Sequence, residues 1–278
     1  MPASPLLFDR LLDDAAMFPP GNADAATALA EHLGYRAGAM DEFVGPLLVH
    51  VDRWLELATA HAAAGSPAID VVVLGTTEVP RNVPGVRVVG FELPVPDLPI
   101  PVADPGLPIA CEIRADEAGH RVLEAIASDA GSYIGKFRTG GTTADAFPSE
   151  ADLAGVVVDA VRLGAPMKFT AGLHHAVRFR DEQTGFEHHG FLNVMVGVHA
   201  ALEGAGEHDV AAVLHERSGE TLAAQASSWS PEDAKAVRRA FVSFGCCGVT
   251  DPVRDLVALG LVPDLDDPAF AADGEGAR

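Results

Sequence analysis

Short runs rich in Val, Ile, Leu and Phe recur along the chain, and most are followed by longer stretches in which apolar residues return every three or four positions. The short runs read as strands and the longer ones as amphipathic helices, each laying one face on a shared core. Eight strands are predicted, at 11–18, 45–51, 68–75, 85–94, 107–114, 132–140, 165–173 and 240–248. Helices are predicted over 23–37, 52–65, 115–131, 148–164 and 251–261, several opening on Asp or Ser near Pro or acidic residues and closing at Gly. The segment 176–239 is too long for one crossover and is expected to hold two or three extra helices. Alternating strands and helices predict an α/β fold, a single (β/α)8 TIM-like barrel over residues 1–263, with an open doubly wound parallel sheet as the alternative. The acidic, small-residue stretch 264–278 is expected to be disordered.

Three of these strands break the apolar pattern. Side chains alternate across a strand, so Glu112 and Arg114 share a face, as do Lys136 and Arg138, and as do Lys168 and Thr170. All six lie late in their strands, where barrel enzymes place their chemistry. A salt-bridged interior is one reading. The other is catalytic, because isolated buried ions are costly and three charged strands in succession exceed what packing needs. A buried lysine beside another cation has a depressed pKa, which frees its amine to attack a carbonyl and form a Schiff base. Lys136 and Lys168 are the candidate pair, with Glu112 moving protons and Arg138 holding an anionic group.

The order "IACEIR", "YIGKFRTGG", "MKFTAGLHH" and "SFGCCG" resembles the second half of the deoxyribose-phosphate aldolase family, a class I aldolase barrel. The likeness runs over 107–175 and 240–260, and the last turn carries cysteines where that family has serines. The resemblance implies that Lys136 forms the Schiff base and that Lys168 tunes it. It also implies phosphate binding at the turns holding Gly172 and Gly245, and it draws the glycines after the lysine strand, Gly140 and Gly141, into the site.

Further candidates lie around these strands. Asp13 and Asp14 end the first strand, before a Pro19-Pro20-Gly21-Asn22 loop that reads as a substrate wall or as plain turn chemistry; Asp14 is taken as the substrate contact. His174 and His175 follow the seventh strand, and His188, His189 and Asn193 follow in turn; His174 and Asn193 are taken as substrate contacts. Cys246 and Cys247 sit in the last turn, and Thr250 or Asp251 begins a helix whose free amides suit an anion. Two other functions stay open. One is a metal-assisted lyase, isomerase or hydrolase using His174 or His175 with Glu112 and Asp13 or Asp14; the other is a non-catalytic binding barrel. Adjacent histidines point opposite ways on a strand and no HxH or HxxxH spacing is present, so no metal and no cofactor is expected.

Charge then narrows the partners. A formal net charge of −21 repels nucleic acid and anionic membranes at long range, leaving a small-molecule substrate, with homo-oligomer formation through outer helices open. The N-terminus lacks a basic segment followed by an apolar one, the apolar runs are too short to span a bilayer, and the three cysteines form no CxxC pair. A cytoplasmic location is expected.

Overall fold

The computed structural model describes residues 3–102 and 106–265. In chain order its elements are β1 (Leu12–Asp14), α1 (Ala25–Ala37), β2 (Val44–His50), α2 (Trp54–Ala63), β3 (Ile69–Leu74), β4 (Val86–Pro94), β5 (Ile109–Ile113), α3 (Glu117–Ser128), β6 (Tyr133–Arg138), α4 (Glu150–Leu163) and β7 (Met167–Thr170). Then come β8 (Phe179–Arg180), β9 (Glu187–His188), α5 (Phe191–Leu202), α6 (Glu207–His215), α7 (Gly219–Ser228), α8 (Pro231–Ala240), β10 (Phe241–Cys246) and α9 (Thr250–Ala258). Eight parallel strands close into a barrel in the order β1-β10-β7-β6-β5-β4-β3-β2, and β8 with β9 forms a separate antiparallel hairpin. The chain is therefore a (β/α)8 TIM-like barrel, and the open doubly wound sheet is ruled out by the β1–β10 pairing.

The long segment before the last strand departs from expectation, holding four helices (α5 to α8) and the hairpin instead of two or three helices. The hairpin follows from local chemistry: Asp181 Oδ1 accepts from the backbone of Gln183 and Thr184, and Gly185 takes a positive φ. The acidic tail lies outside the described residues from position 266 onward.

Helix starts follow the chemistry of capping. Asp24 accepts from the Ala26 and Thr27 amides at 3.0 and 2.9 Å, and reciprocal Ser149–Asp152 and Ser230–Asp233 boxes open α4 and α8. Gly164 closes α4 in the left-handed conformation. Arg238 closes the barrel at its lower end, donating to the carbonyls of Leu7, Asp9, Phe241 and Val242 and so tying the N-terminal turn to β10.

The pleat sorts each strand. On β5, β6 and β7 the outward residues Ile109, Cys111, Ile113, Phe137, Met167 and Phe169 are buried against the helical layer. The alternate residues point inward, and toward the C-terminal ends of the strands they are polar: Glu112, Lys136, Arg138, Lys168 and Thr170.

Candidate active site

Strand register lines up the interior polar residues. Glu112 on β5 pairs with Lys136 on β6, Lys136 with Lys168 on β7, and Lys168 with Ser243 on β10, so four adjacent strands present one row. From the strands flanking this row, Glu92 on β4 and Asp13 on β1 reach the same lysines.

The result is a chain of alternating charges. Ser243 Oγ donates to Asp13 Oδ2 at 2.7 Å, and Lys168 Nζ meets the same oxygen at 2.5 Å. Lys168 Nζ also donates to Glu92 Oε1. Glu92 Oε2 then contacts Lys136 Nζ at 2.8 Å, and Glu112 Oε2 lies 3.0 Å from that same nitrogen. The chain ends with Arg138, 3.9 Å from Glu112 Oε1. Lys136 and Lys168 are each 4% exposed, Glu92 1% and Asp13 5%. Burying so many charges is tolerable only because each has opposite neighbours.

The two lysines are not equivalent. Burial pulls the Lys168 ammonium down, but the Asp13 and Glu92 carboxylates outweigh it and hold the group above the ordinary lysine range. This corrects the expectation of two bare cations side by side, since Glu92 stands between them. Burial likewise opposes ionisation of Glu92, but Lys136 and Lys168 prevail and bring its carboxyl down to about 2. Asp13 goes the other way, raised by burial beyond what its partners offset. Glu92 Oε2 has no aligned hydrogen-bond donor, so Lys136 is held there by charge and not by a directed bond.

Lys136 is as buried as Lys168, but one of its carboxylate partners reaches solvent. Its partner Glu112 lines a cleft of about 560 Å³ together with Pro94, Arg114, Arg138 and Asp145. Arg138, half exposed, makes no hydrogen bond among the described residues, whereas Arg114 Nε is engaged by Asp116 at 2.7 Å.

Other candidates take different places. Thr170 faces the interior with Lys168, its Oγ1 3.2 Å from where a side chain at Gly245 would begin. Gly140 and Gly172 pack backbone against backbone where the β6 and β7 loops meet, with the Thr139 amide and hydroxyl donating to the carbonyls beside them. Gly141 abuts the Ala146 methyl. Asp14 points away from the interior, bonding buried His32 of α1 at 3.0 Å, and it is Asp13 that joins the lysines. Asn193 is a structural tie, accepting from the Arg178 amide at 2.8 Å and donating to the Val213 and Glu216 carbonyls. Cys246 is buried on the outer side of β10, 3.6 Å from His174 Nδ1, and its thiol donates to the Gly248 carbonyl. His175 pairs with Asp255 at 3.1 Å. The histidines, Glu112 and Asp13 are thus engaged separately, and among the described residues no three His, Cys, Asp or Glu side chains group to hold a metal.

Glu92 and Ser243 were missed from sequence. Glu92 carried the same signal as Glu112, a carboxylate at the C-terminal end of an apolar strand on the face shared with a small residue, Gly90.

Fold and site together define a closed (β/α)8 barrel with two buried lysines interleaved with carboxylates at its centre. No protein-family model matches the sequence, and no curated protein matches it either.

Proposed function

We propose that the barrel is a lyase of the class I aldolase kind, forming a Schiff base between Lys136 and a small anionic carbonyl compound. One observation carries the reading: Lys136 Nζ sits between Glu92 at the core and Glu112 at the rim of the cleft, while Lys168 is sealed between two carboxylates. Both carboxylates that grip Lys168 are buried and hold its ammonium above the ordinary lysine range, so Lys168 serves as fixed positive charge. Lys136 is the amine with a carboxylate beside it on the open side, able to take its proton.

In this reading Glu112 takes a proton from Lys136, and the freed amine attacks the carbonyl carbon. Protonation of the oxygen and loss of water leave an iminium. Its nitrogen accepts the electron pair when a C–C or C–H bond beside the former carbonyl breaks, giving an enamine. Lys168 and Glu92 hold the amine in place and set the field around it. The sequence resemblance to deoxyribose-phosphate aldolases, which implies the same role for Lys136, supports this reading.

The test is intact-mass analysis after incubation with small aldehydes and ketones in borohydride. Trapping should add the mass of the carbonyl compound, less water, plus two hydrogens. Lys136→Met, which keeps the apolar stem, should abolish the adduct while circular dichroism shows a folded chain. An adduct of undiminished yield in folded Lys136→Met would refute the assignment.

A further inference from the structure

The cleft beside Lys136 constrains the charge of whatever enters it. Lys136 and Arg138 are two residues apart on one face of β6, so their Cα atoms lie roughly 6.6 Å apart along the strand. Glu112 bridges this interval, one oxygen 3.0 Å from Lys136 Nζ and the other 3.9 Å from the Arg138 guanidinium. A single carboxylate therefore spans from the amine toward the guanidinium. Arg138 is half exposed and without a hydrogen bond among the described residues, so its planar fork is open to a second carboxylate.

The rest of the lining disfavours a dianion. Glu112, Asp145 and Asp152 contribute three carboxylates against the guanidiniums of Arg114 and Arg138. Arg114 is already held by Asp116, and Asp152 is spent on the amide and hydroxyl of Ser149. Arg138 is the guanidinium of the cleft with no hydrogen bond among the described residues, and its fork matches one negative charge.

The usual phosphate position of a barrel, after its last two strands, is closed. At the start of α9 a side chain on Gly248 would begin 3.2 Å from Asp251 Oδ2, so a carboxylate already stands over that turn. The Asp251 amide is turned to the Gly248 carbonyl at 3.3 Å, and the Cys246 thiol takes the same oxygen. After β7, Gly172 is pressed against Thr139 and Gly140 and leaves no cradle.

We infer that the substrate is a short 2-oxo carboxylic acid, its carboxylate on Arg138 and its ketone carbon at Lys136 Nζ, and not a phosphate ester. Because one carboxylate, Glu112, reaches from Lys136 Nζ toward the Arg138 guanidinium, a carboxylate bonded directly to the ketone carbon is favoured, with Glu112 flanking the carbon whose bond breaks. This rests on the Schiff-base reading and adds the anion.

Pyruvate and acetone test it, since they differ only by a carboxylate in place of a methyl group, with dihydroxyacetone phosphate as the phosphate probe. Borohydride-trapped labelling of the full chain should be about tenfold faster with pyruvate than with acetone, the effect of one charge-assisted pair. In Arg138→Ala the ratio should collapse to about one. Pyruvate no faster than acetone in the natural chain, or dihydroxyacetone phosphate faster than pyruvate, overturns the anion assignment while leaving the imine standing. No label from any of the three ends the imine reading and this inference with it.

Discussion

Glu92→Gln removes the charge at the centre of the network while keeping the side chain's shape. Lys136 is then left with Glu112, and Lys168 with Asp13. The magnitude follows from the proton affinity of Glu92, which the two ammoniums bring from an ordinary 4.5 down to about 2. A tenfold change in proton affinity corresponds to about 1.4 kcal/mol. The native state thus gains on the order of 3 kcal/mol from this ionised carboxylate, within the range of roughly 3–5 kcal/mol seen when a buried ion pair loses a partner. A depressed carboxyl contributes fully above its unfolded value of 4.5 and loses that contribution as pH falls toward about 2. Urea unfolding of both chains at a series of pH values isolates the effect. At pH 7 the variant should be less stable by about 3 kcal/mol, with a melting temperature lower by roughly 5–10 °C. The difference between the two chains should shrink below pH 4.5. Equal stability at pH 7, or a difference constant down to pH 2, would refute the idea that Glu92 is held ionised by the lysines.

Other consequences are more local. Asn193→Ala leaves the Arg178 amide and the Val213 and Glu216 carbonyls without their partner. Thermal unfolding should show a loss of about 3 kcal/mol, and borohydride labelling at a temperature where the variant is folded should keep its natural rate; slowed labelling would place Asn193 in the site after all. His175 is raised above its ordinary 6.5, first by its bond to Asp255, with the Asp255 charge helping and burial opposing. Its contribution is complete below 6.5 and is lost as pH rises through the folded-state value. The imidazole resonances should titrate above 6.5 in the natural chain and fall back in Asp255→Asn; an unchanged midpoint would show that Asp255 is not the cause.

Much of this arrangement was written in the sequence. Barrel strands buried against helices read as continuous apolar runs, so the eight strands stand out, and the period of two places Lys136 with Arg138 and Lys168 with Thr170 on the inner face. Local patterns do not reveal which strands meet across the barrel. Lys168 and Glu92 are 76 residues apart, and only closure brings them together, which is why a pair of cations was expected where a carboxylate intervenes. Asp13 and Asp14 look alike in sequence; the pleat of a three-residue strand sends one to Lys168 and the other to His32. Asn193 stands out in sequence as the side-chain amide that follows the His188-His189 pair, but its partners are the Arg178 amide and main-chain carbonyls at the end of α6, which no spacing rule exposes.

The central claim is that the lysine beside the solvent-facing Glu112, and not the one between Asp13 and Glu92, carries the substrate. Proteolysis of the borohydride-trapped adduct, followed by mass mapping of the label, tests it most directly. The label should fall on Lys136. A label on Lys168, the ammonium gripped by Asp13 and Glu92, would contradict the account.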